Sequence, residues 1–399
     1  MSAKPLTRLW PAFRLCALAL LSLALLFTAS AAQATATGGP VAWGCAFEDS
    51  GQCTVPSGLS GVTAIAAGAF SSLALRADGT VVAWGCRGVD NGPCSVPNGL
   101  SGVSAIAAGL QSLALKADGT VIAWGCGSGL GSGPCNVPSG LSGVRAIAAS
   151  PLDSLALKGD GTVVAWGCPR DFDFGQCSVP GGLSGVTAIA SGNFHSLALK
   201  GDGTVVAWGC NDIRVNWGQC SVPVGLSGVR AIAASSVHSL ALKGDGTVVA
   251  WGCLGVDNGQ CSVPGTLSDV TAIAAGNSHS LALRRDGTVV GWGCGAGSDQ
   301  NGQCRVPRGL SRVIAIAAGP SHSLALVETF TCKVPNVVGK RLAAARLTIG
   351  KRHCRTGKVS YAYSRKSKKG IVVFQSRRPG KVLPARSKVN LIVSRGRKP

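Results

Sequence analysis

Between residues 41 and 327 apolar and polar positions recur with a period near 40 residues, marked by Trp-Gly-Cys at 43, 84, 124, 166, 208, 251 and 292. A fixed period of this size belongs to solenoids and propellers. The unit at 62–97 shows the pattern. Val62 to Gly68 is a run of small apolar residues, and Ser72-Leu73-Ala74-Leu75 is a second short run. Asp78-Gly79 supplies the positive φ of a tight hairpin turn. Thr80 to Trp84 is a third run, and Cys94-Ser95-Val96-Pro97 follows a Cys-bounded loop. The pattern predicts four short strands per unit and no helical periodicity. Seven such units fit a mainly β fold, a seven-bladed β-propeller over 40–327.

The two ends of the array complement each other. The first unit enters at Val41-Ala42-Trp43 without the preceding hairpin, and the last stops at Ser323-Leu324-Ala325-Leu326 without the following strand. Trp43 and Leu324 are therefore expected in one composite blade that closes the ring, whereas an open solenoid would carry capping units.

The recurring G-x-x-H-S-L-A-L, D-G-T-V-x-A-W-G and G-Q motifs resemble the RCC1-like repeat family. The resemblance covers about 40–327 and implies a seven-bladed propeller. The founding eukaryotic member is a nuclear exchange factor for a small GTPase. That activity is not carried over, because an export signal is expected at the N-terminus and the matching insert is lacking. Secreted bacterial relatives, a β-lactamase inhibitor protein among them, are closer in texture and imply protein binding without catalysis.

Charge is distributed unevenly. The chain of 399 residues has a formal charge of +21. Residues 40–327 hold 15 basic and 16 acidic side chains, a net of −1, while 328–399 hold 20 basic side chains and one acid, Glu328, a net of +19. A basic surface over the whole chain is excluded. At the N-terminus, Lys4, Arg8 and Arg14 precede an apolar run from Leu15 to Phe27, and Ala32-Gln33-Ala34 fits a cleavage site. Residues 1–34 thus read as a secretory signal peptide. An apolar run of this length falls short of a transmembrane helix. No transmembrane anchor is expected after cleavage, and the product is expected to be secreted, extracellular or associated with a cell wall.

Of 17 cysteines, Cys16 leaves with the signal. Fourteen bound equivalent loops in pairs: Cys45 with Cys53, Cys86 with Cys94, Cys126 with Cys135, Cys168 with Cys177, Cys210 with Cys220, Cys253 with Cys261 and Cys294 with Cys304. Local disulfides are the simplest reading in an oxidising compartment; zinc spacing is absent and no metal site or cofactor is expected. His195, His238, His279 and His322 all precede S-L-A-L, at a position taken by Ser71, Gln111 and Asp153 in other units. This substitution pattern favours a repeated structural hydrogen bond over a catalytic or metal-binding set. The Cys-bounded loops differ from unit to unit and together carry eight acids and three bases. Divergent loops on a constant scaffold suit partner binding, with Arg170, Asp171, Phe172, Phe174, Arg214 and Trp217 as candidates.

After residue 331 the character changes. Val334-Pro335-Asn336-Val337-Val338-Gly339 leads into a short helix from Lys340 to Gly350, followed by strands at 358–363, 370–375 and 387–394. The V-P-x-V-x-G opening, Gln375-Ser376-Arg377-Arg378-Pro379-Gly380 and the closing S-x-G strongly resemble the PASTA domain, over 332–396. Cys332 and Cys354 are the remaining pair. The resemblance implies recognition of peptidoglycan or other wall components. The charge on Lys366, Lys368, Lys369, Arg377, Arg378, Arg395 and Arg397 would attract anionic wall polymers. Nucleic acid is not expected as a partner.

The expected product is an exported, monomeric binding protein and not an enzyme. Its propeller face would bind a protein or glycan, and its basic tail would associate with peptidoglycan or an anionic wall polymer. Two alternatives stand beside this: a secreted inhibitor of a β-lactamase or other wall enzyme, and a propeller enzyme acting on a wall polymer.

Overall fold

The computed structural model describes residues 38–46, 49–87, 92–126, 133–295, 302–384 and 386–398. The expected signal peptide lies outside the described residues. Six blades each form a three-stranded antiparallel meander. Blade one is Val62–Ala67, Ser71–Arg76 and Val81–Gly85; blade two is Val103–Ala108, Ser112–Lys116 and Val121–Trp124; blade three is Val144–Ala149, Asp153–Lys158 and Val163–Gly167. Blade four is Val186–Ser191, His195–Lys200 and Val205–Gly209; blade five is Val229–Ala234, His238–Lys243 and Val248–Gly252; blade six is Val270–Ala275, His279–Arg284 and Val289–Gly293.

Blade seven is composite, as expected. Val313–Ala318 and Ser323–Glu328 come from the end of the array, and Gly38–Trp43 from its start. The terminal strands run antiparallel in a continuous register, with Ala42 opposite Leu324 and Trp43 opposite Ser323. Gly38 also pairs with Val62, joining the closing blade to blade one.

The hairpins follow from Asp-Gly-Thr. In blade one, Asp78 accepts from both the backbone N–H and the hydroxyl of Thr80, at 3.0 and 2.6 Å, and Gly79 has φ of 78°. The core lies between blades rather than within them. Leu73 and Leu75 of blade one pack with Val103, Ile106 and Trp124 of blade two, and the same arrangement recurs around the ring to Leu324 and Leu326 against Ile65 and Trp84. Every blade therefore buries both faces, and the closed ring leaves no blade without a neighbour.

The structure differs from the expectation of four strands per blade. The Cys-x-Val-Pro segment makes no ladder. Its backbone groups are spent in turns: Ser95 N–H bonds to Gly92 C=O, Val96 N–H to Cys94 C=O and Leu100 N–H to Pro97 C=O, at 3.0–3.1 Å. Pro97 has no N–H to donate to a strand. Val96 and Leu100 still pack on the core between blades one and two, so the apolar signal was one of burial, not of pairing.

The cysteines pair as the loop spacing predicts. The disulfides join Cys45 to Cys53, Cys86 to Cys94, Cys126 to Cys135, Cys168 to Cys177, Cys210 to Cys220, Cys253 to Cys261 and Cys294 to Cys304. The partners stand only 8 to 10 residues apart in sequence. Each bridge therefore closes one loop and leaves the joining of blades to the core.

The C-terminal unit has one helix, Leu342–Gly350, on a sheet in which Arg355–Ala362 runs parallel to Lys388–Ser394 and Val372–Gln375 antiparallel to it. The helix begins two residues later than expected because Arg341 forms a bridge with Ile371 and Leu342 N–H bonds to Gly370 C=O. A further pair, Thr331–Lys333 with Val382–Pro384, is too short to show in a sequence pattern. Its core gathers Val334, Val337, Ala345, Ile349, Val372, Val389, Leu391 and Val393 around the disulfide between Cys332 and Cys354.

Candidate interaction face

Each Cys-bounded loop leaves the outer strand of one blade and is clasped by the next. The loop after blade seven ends at Gln52, whose carbonyl accepts from Trp84 Nε1 at 2.8 Å and from Ser72 Oγ at 3.0 Å, both in blade one. The same two donors meet one carbonyl in every unit. Trp208 and Ser196 bond to Gln176, Trp251 and Ser239 to Gln219, Trp292 and Ser280 to Gln260, and Trp43 and Ser323 to Gln303. Proline supplies that carbonyl in two units, Pro93 and Pro134. A carbonyl has two lone pairs, and here each takes a buried donor. The repeated tryptophan is thus a clasp as well as a packing residue.

The glutamine side chain then shapes the loop. Gln176 accepts from Phe174 N–H and donates to Phe172 C=O, both at 2.7 Å. Gln219 repeats this on Trp217 and Val215, and Gln260 on Asn258 and Val256. The second cysteine of each pair follows the clasped carbonyl directly: Cys53 after Gln52, Cys94 after Pro93, Cys135 after Pro134, Cys177 after Gln176, Cys220 after Gln219, Cys261 after Gln260 and Cys304 after Gln303. The disulfide, with Cα separations of 5.9–6.3 Å, thus anchors the loop at the residue next to its clasp. Neighbouring loops are also bonded to one another: Asn211 N–H to Phe174 C=O at 2.9 Å, and Leu254 N–H to Trp217 C=O at 2.9 Å. Divergent sequences are therefore carried on a tied frame.

On that frame the structure brings two of the candidate aromatics together through a third residue. Phe194 sits in the turn between the inner and middle strands of blade four. Its ring lies 5.3 Å from Phe174, edge-on, and 5.7 Å from Trp217. Aromatic pairs at these separations attract beyond simple burial. Phe172 is exposed beside them at 42%, with exposed Arg170 and Asp171. Arg214 is held by the Asp212 carboxylate, whose pKa its guanidinium helps hold at about 2. Phe194 escaped the sequence reading because it lies outside the Cys-bounded loops. The signal was present: the residue before the His position is Phe70, Leu110, Leu152, Phe194 and Val237 in five units and Ser278 and Ser321 in the other two, a variable and mostly apolar site.

The four histidines are buried and bridge blades. Nε2 of His195, His238 and His279 lies 2.8–3.0 Å from Oγ of Ser239, Ser280 and Ser323, each in the following blade. Gln111 takes the same role on Ser154 at 3.0 Å. Burial pushes the pKa of His195, His238 and His279 down to about 3 and that of His322 to about 4. They are neutral linkers. Asp153, also fully buried, accepts from Ser150 and, at 2.7 Å, from Ser191; burial raises its pKa to about 7.

The inner strands surround a channel of about 150 Å³ lined by alanine and isoleucine, with Ser191 and Thr271 as its polar side chains. Among the described residues no group of three or more His, Cys, Asp or Glu is placed to hold a metal.

The model of the regulator of chromosome condensation (RCC1) repeat matches residues 62–89, 186–212, 229–260 and 270–303, and that of the PASTA domain matches 333–395. The chain carries RCC1 repeats and a PASTA domain. Solved structures agree on the fold. Prp20p from Saccharomyces cerevisiae is 22% identical, with 74% of this chain and 93% of that chain covered and a TM-score of 0.59. Human WBSCR16 is 20% identical, with 66% and 86% covered and a TM-score of 0.51. At these identities the likeness is one of fold. No curated protein matches the sequence of the chain.

The candidate cations of the PASTA domain do not form one patch. Lys366, Lys368 and Lys369 lie in the segment that bonds to the end of the last strand, through Ser394 Oγ to Ser367 C=O at 2.9 Å and Gly370 N–H to Ser394 C=O at 2.9 Å. Arg395 and Arg397 follow that strand directly, and Arg395 lies over the Tyr363 ring at 5.8 Å. These five form one group. Arg377 and Arg378 sit in a turn whose Ser376 N–H bonds to Asn390 C=O, nearer the opposite end of the same strand. All seven residues are exposed.

Proposed function

We propose that the chain is an exported, non-enzymatic binding protein. Its RCC1 propeller presents the loop face to a protein or glycan, and its PASTA domain associates with peptidoglycan or an anionic wall polymer. The observation that carries the reading is the Phe174–Phe194–Trp217 cluster on a frame of disulfides and interloop hydrogen bonds. Half-exposed aromatics on a rigid support lose little entropy on binding and suit the centre of an interface. Eight disulfides fit an oxidising compartment, in keeping with the signal peptide read from residues 1–34.

For the wall, the test is sedimentation of the full chain with purified peptidoglycan, with and without attached anionic polymer. Glutamine at Lys366, Lys368, Lys369 and Arg395 should reduce retention several-fold and make it less sensitive to salt. Equal retention of the substituted chain would remove this group from the wall contact. The alternative of an inhibitor is tested with purified β-lactamases and wall hydrolases, where a Trp217→Ala chain should lose any inhibition shown by the native one.

A further inference from the structure

Where the last blade meets the PASTA domain, a cleft of about 540 Å³ is lined by Arg312, Phe330, Gly350, His353, Cys354 and Arg386. Arg312 comes from the entry to blade seven and the others from the linker and the PASTA domain. The Phe330 ring stacks on the His353 imidazole, with centroids 4.2 Å apart and planes 13° from parallel. The Arg312 guanidinium lies 5.3 Å from the centre of the same ring.

Three of these residues share a backbone conformation that side chains disfavour. Arg312, His353 and Arg386 have φ of 57°, 57° and 62°, in the left-handed region. Among the described residues the other non-glycine cases are five cysteines that follow Trp-Gly, and Asp269. Arg312 occupies a turn position that is Gly61, Gly102, Gly143, Gly185 and Gly228 in five other units, with φ of 65–71°, and Asp269 in the sixth, with φ of 54°. The turn thus forms readily with glycine, and the arginine side chain is not what builds it. The arginine stands only in the blade that adjoins the PASTA domain. Strained residues of this kind concentrate where a side chain must be aimed at a ligand or a partner segment.

Among the described residues neither Arg312 nor Arg386 has a carboxylate partner; the ion pairs all lie elsewhere. Two arginines and a histidine from separate chain segments thus line one open cleft, and among the described residues no carboxylate is paired with either arginine.

We infer that this cleft binds a phosphoryl group, with the forks of Arg312 and Arg386 and the ring N–H of His353 as donors. Planar forks that approach from different segments suit separate oxygens of a tetrahedral anion better than the two oxygens of one carboxylate. The contacts with Phe330 place the Arg312 guanidinium and the His353 ring at one wall of the cleft. Because the arginines belong to different domains, the bound anion would also hold the PASTA domain against the propeller. The site is separate from the wall contact proposed above, since Lys366–Lys369 and Arg395 lie at the far end of the strand Lys388–Ser394, which rises about 3.3 Å per residue.

The test is titration calorimetry on the full chain with inorganic phosphate and with a glycerol-phosphate diester oligomer, against acetate and chloride at matched ionic strength. Phosphate, the diester or both should bind in preference to acetate. Arg312→Gly, which restores the residue of five other units, and Arg386→Gln should each weaken binding about tenfold. A K366Q/K368Q/K369Q chain should retain it. Binding of the diester alone would assign the source as a phosphodiester polymer, and binding of both a free or terminal phosphate. Unchanged affinity in the two arginine variants, an equal response to acetate or chloride, or loss confined to the lysine variant would overturn the proposal.

Discussion

His322 in blade seven places Nε2 3.0 Å from Oγ of Ser72 in blade one, across a sequence separation of 250 residues. The Ser72 hydroxyl donates to Gln52 C=O, so the imidazole must supply the proton and is fixed with Nε2–H. The ring is therefore closed by a side-chain bond as well as by the composite sheet. His322→Ala should destabilise the propeller by about 2–4 kcal/mol, from a lost buried hydrogen bond and a cavity. His322→Gln should recover part of this, because Gln111 fills the same position and reaches Ser154. Urea unfolding of both variants decides it. Equal losses would mean that packing, and not the hydrogen bond, is what His322 contributes.

The buried histidines set a direction for acid sensitivity. Their folded pKa values are about 3 to 4 against an ordinary 6.5, with burial as the leading cause. Below pH 6.5 the unfolded chain takes up protons that the native protein refuses, so stability falls as pH falls through this window. Each histidine should cost about 2 kcal/mol at pH 5 relative to pH 7.5. The hairpin carboxylates Asp118, Asp160 and Asp245, lowered to about 2 chiefly by the hydroxyls of Thr120, Thr162 and Thr247, respond only at lower pH. Thermal unfolding between pH 7.5 and 5 should show a steep decline that His195→Gln makes shallower.

Asp153 works in the opposite sense. Burial raises its pKa to about 7, so between 3.8 and 7 the native state holds a proton that the unfolded chain has released. Its contribution falls as pH rises through that window and is constant above it. Asp153→Asn keeps an acceptor and gains a donor for Ser150 and Ser191. The variant should melt a few degrees higher than the native chain at pH 8, with the difference closing toward pH 4. A variant less stable than the native chain at pH 8 would show that the two serine hydroxyls stabilise the ionised carboxylate more than burial disfavours it.

What the sequence showed of this molecule depended on whether a residue's role repeats. Trp43 and Leu324 could be placed in one blade because each end of the array lacks what the other supplies. The cysteine pairs were legible because Cys53, Cys94 and their equivalents close loops of nearly constant length. The His position was legible as structural because Ser71, Gln111 and Asp153 replace it. The double role of Gln52 was not: a backbone carbonyl leaves no residue-type signature, and Pro93 performs it equally well. Val96 misled in the other direction, since an apolar residue that packs on the core looks like a strand even where Pro97 ends the ladder. Phe194 was hidden by position, in a turn outside the divergent Cys-bounded loops. The cations of the PASTA domain were legible as charge but not as two groups, because that division depends on which ends of Lys388–Ser394 their turns adjoin.

Phe194 bridges two loops, and its loss should be felt at both. Phe194→Ala removes the ring that contacts Phe174 and Trp217 while leaving the disulfides and glutamine clasps in place. The fold should survive with a cost of about 1–3 kcal/mol. Hydrogen exchange should quicken at Asn211 N–H and Leu254 N–H, which bond to the carbonyls of Phe174 and Trp217, and stay unchanged at the corresponding Arg87 N–H on blade one. Exchange that quickens equally at all three would indicate general destabilisation and not a local frame.

Blade one offers the reverse experiment. Ser71 stands where His195 stands in blade four, and its buried hydroxyl has no hydrogen-bond partner among the described residues. Ahead of it in blade two, Ser112 donates to Pro93 C=O at 3.0 Å, as Ser239 donates to Gln219 C=O while accepting from His195. The approach is also alike: Gly68-Ala69-Phe70-Ser71 matches Gly192-Asn193-Phe194-His195, and glycine at the first position leaves room for the ring, since a Cβ on Gly192 would lie 2.6 Å from the imidazole of His195. Ser71→His should therefore place Nε2–H on Ser112 Oγ and complete the bond between blades one and two. It should stabilise the chain by about 0.5–1.5 kcal/mol at pH 7.5. Because the new imidazole would be buried and neutral, the gain should shrink as pH falls below 6.5. A gain independent of pH would mean that the ring stabilises by filling space, and a loss would mean that blades one and two are packed too closely for the bridge that the other blades use.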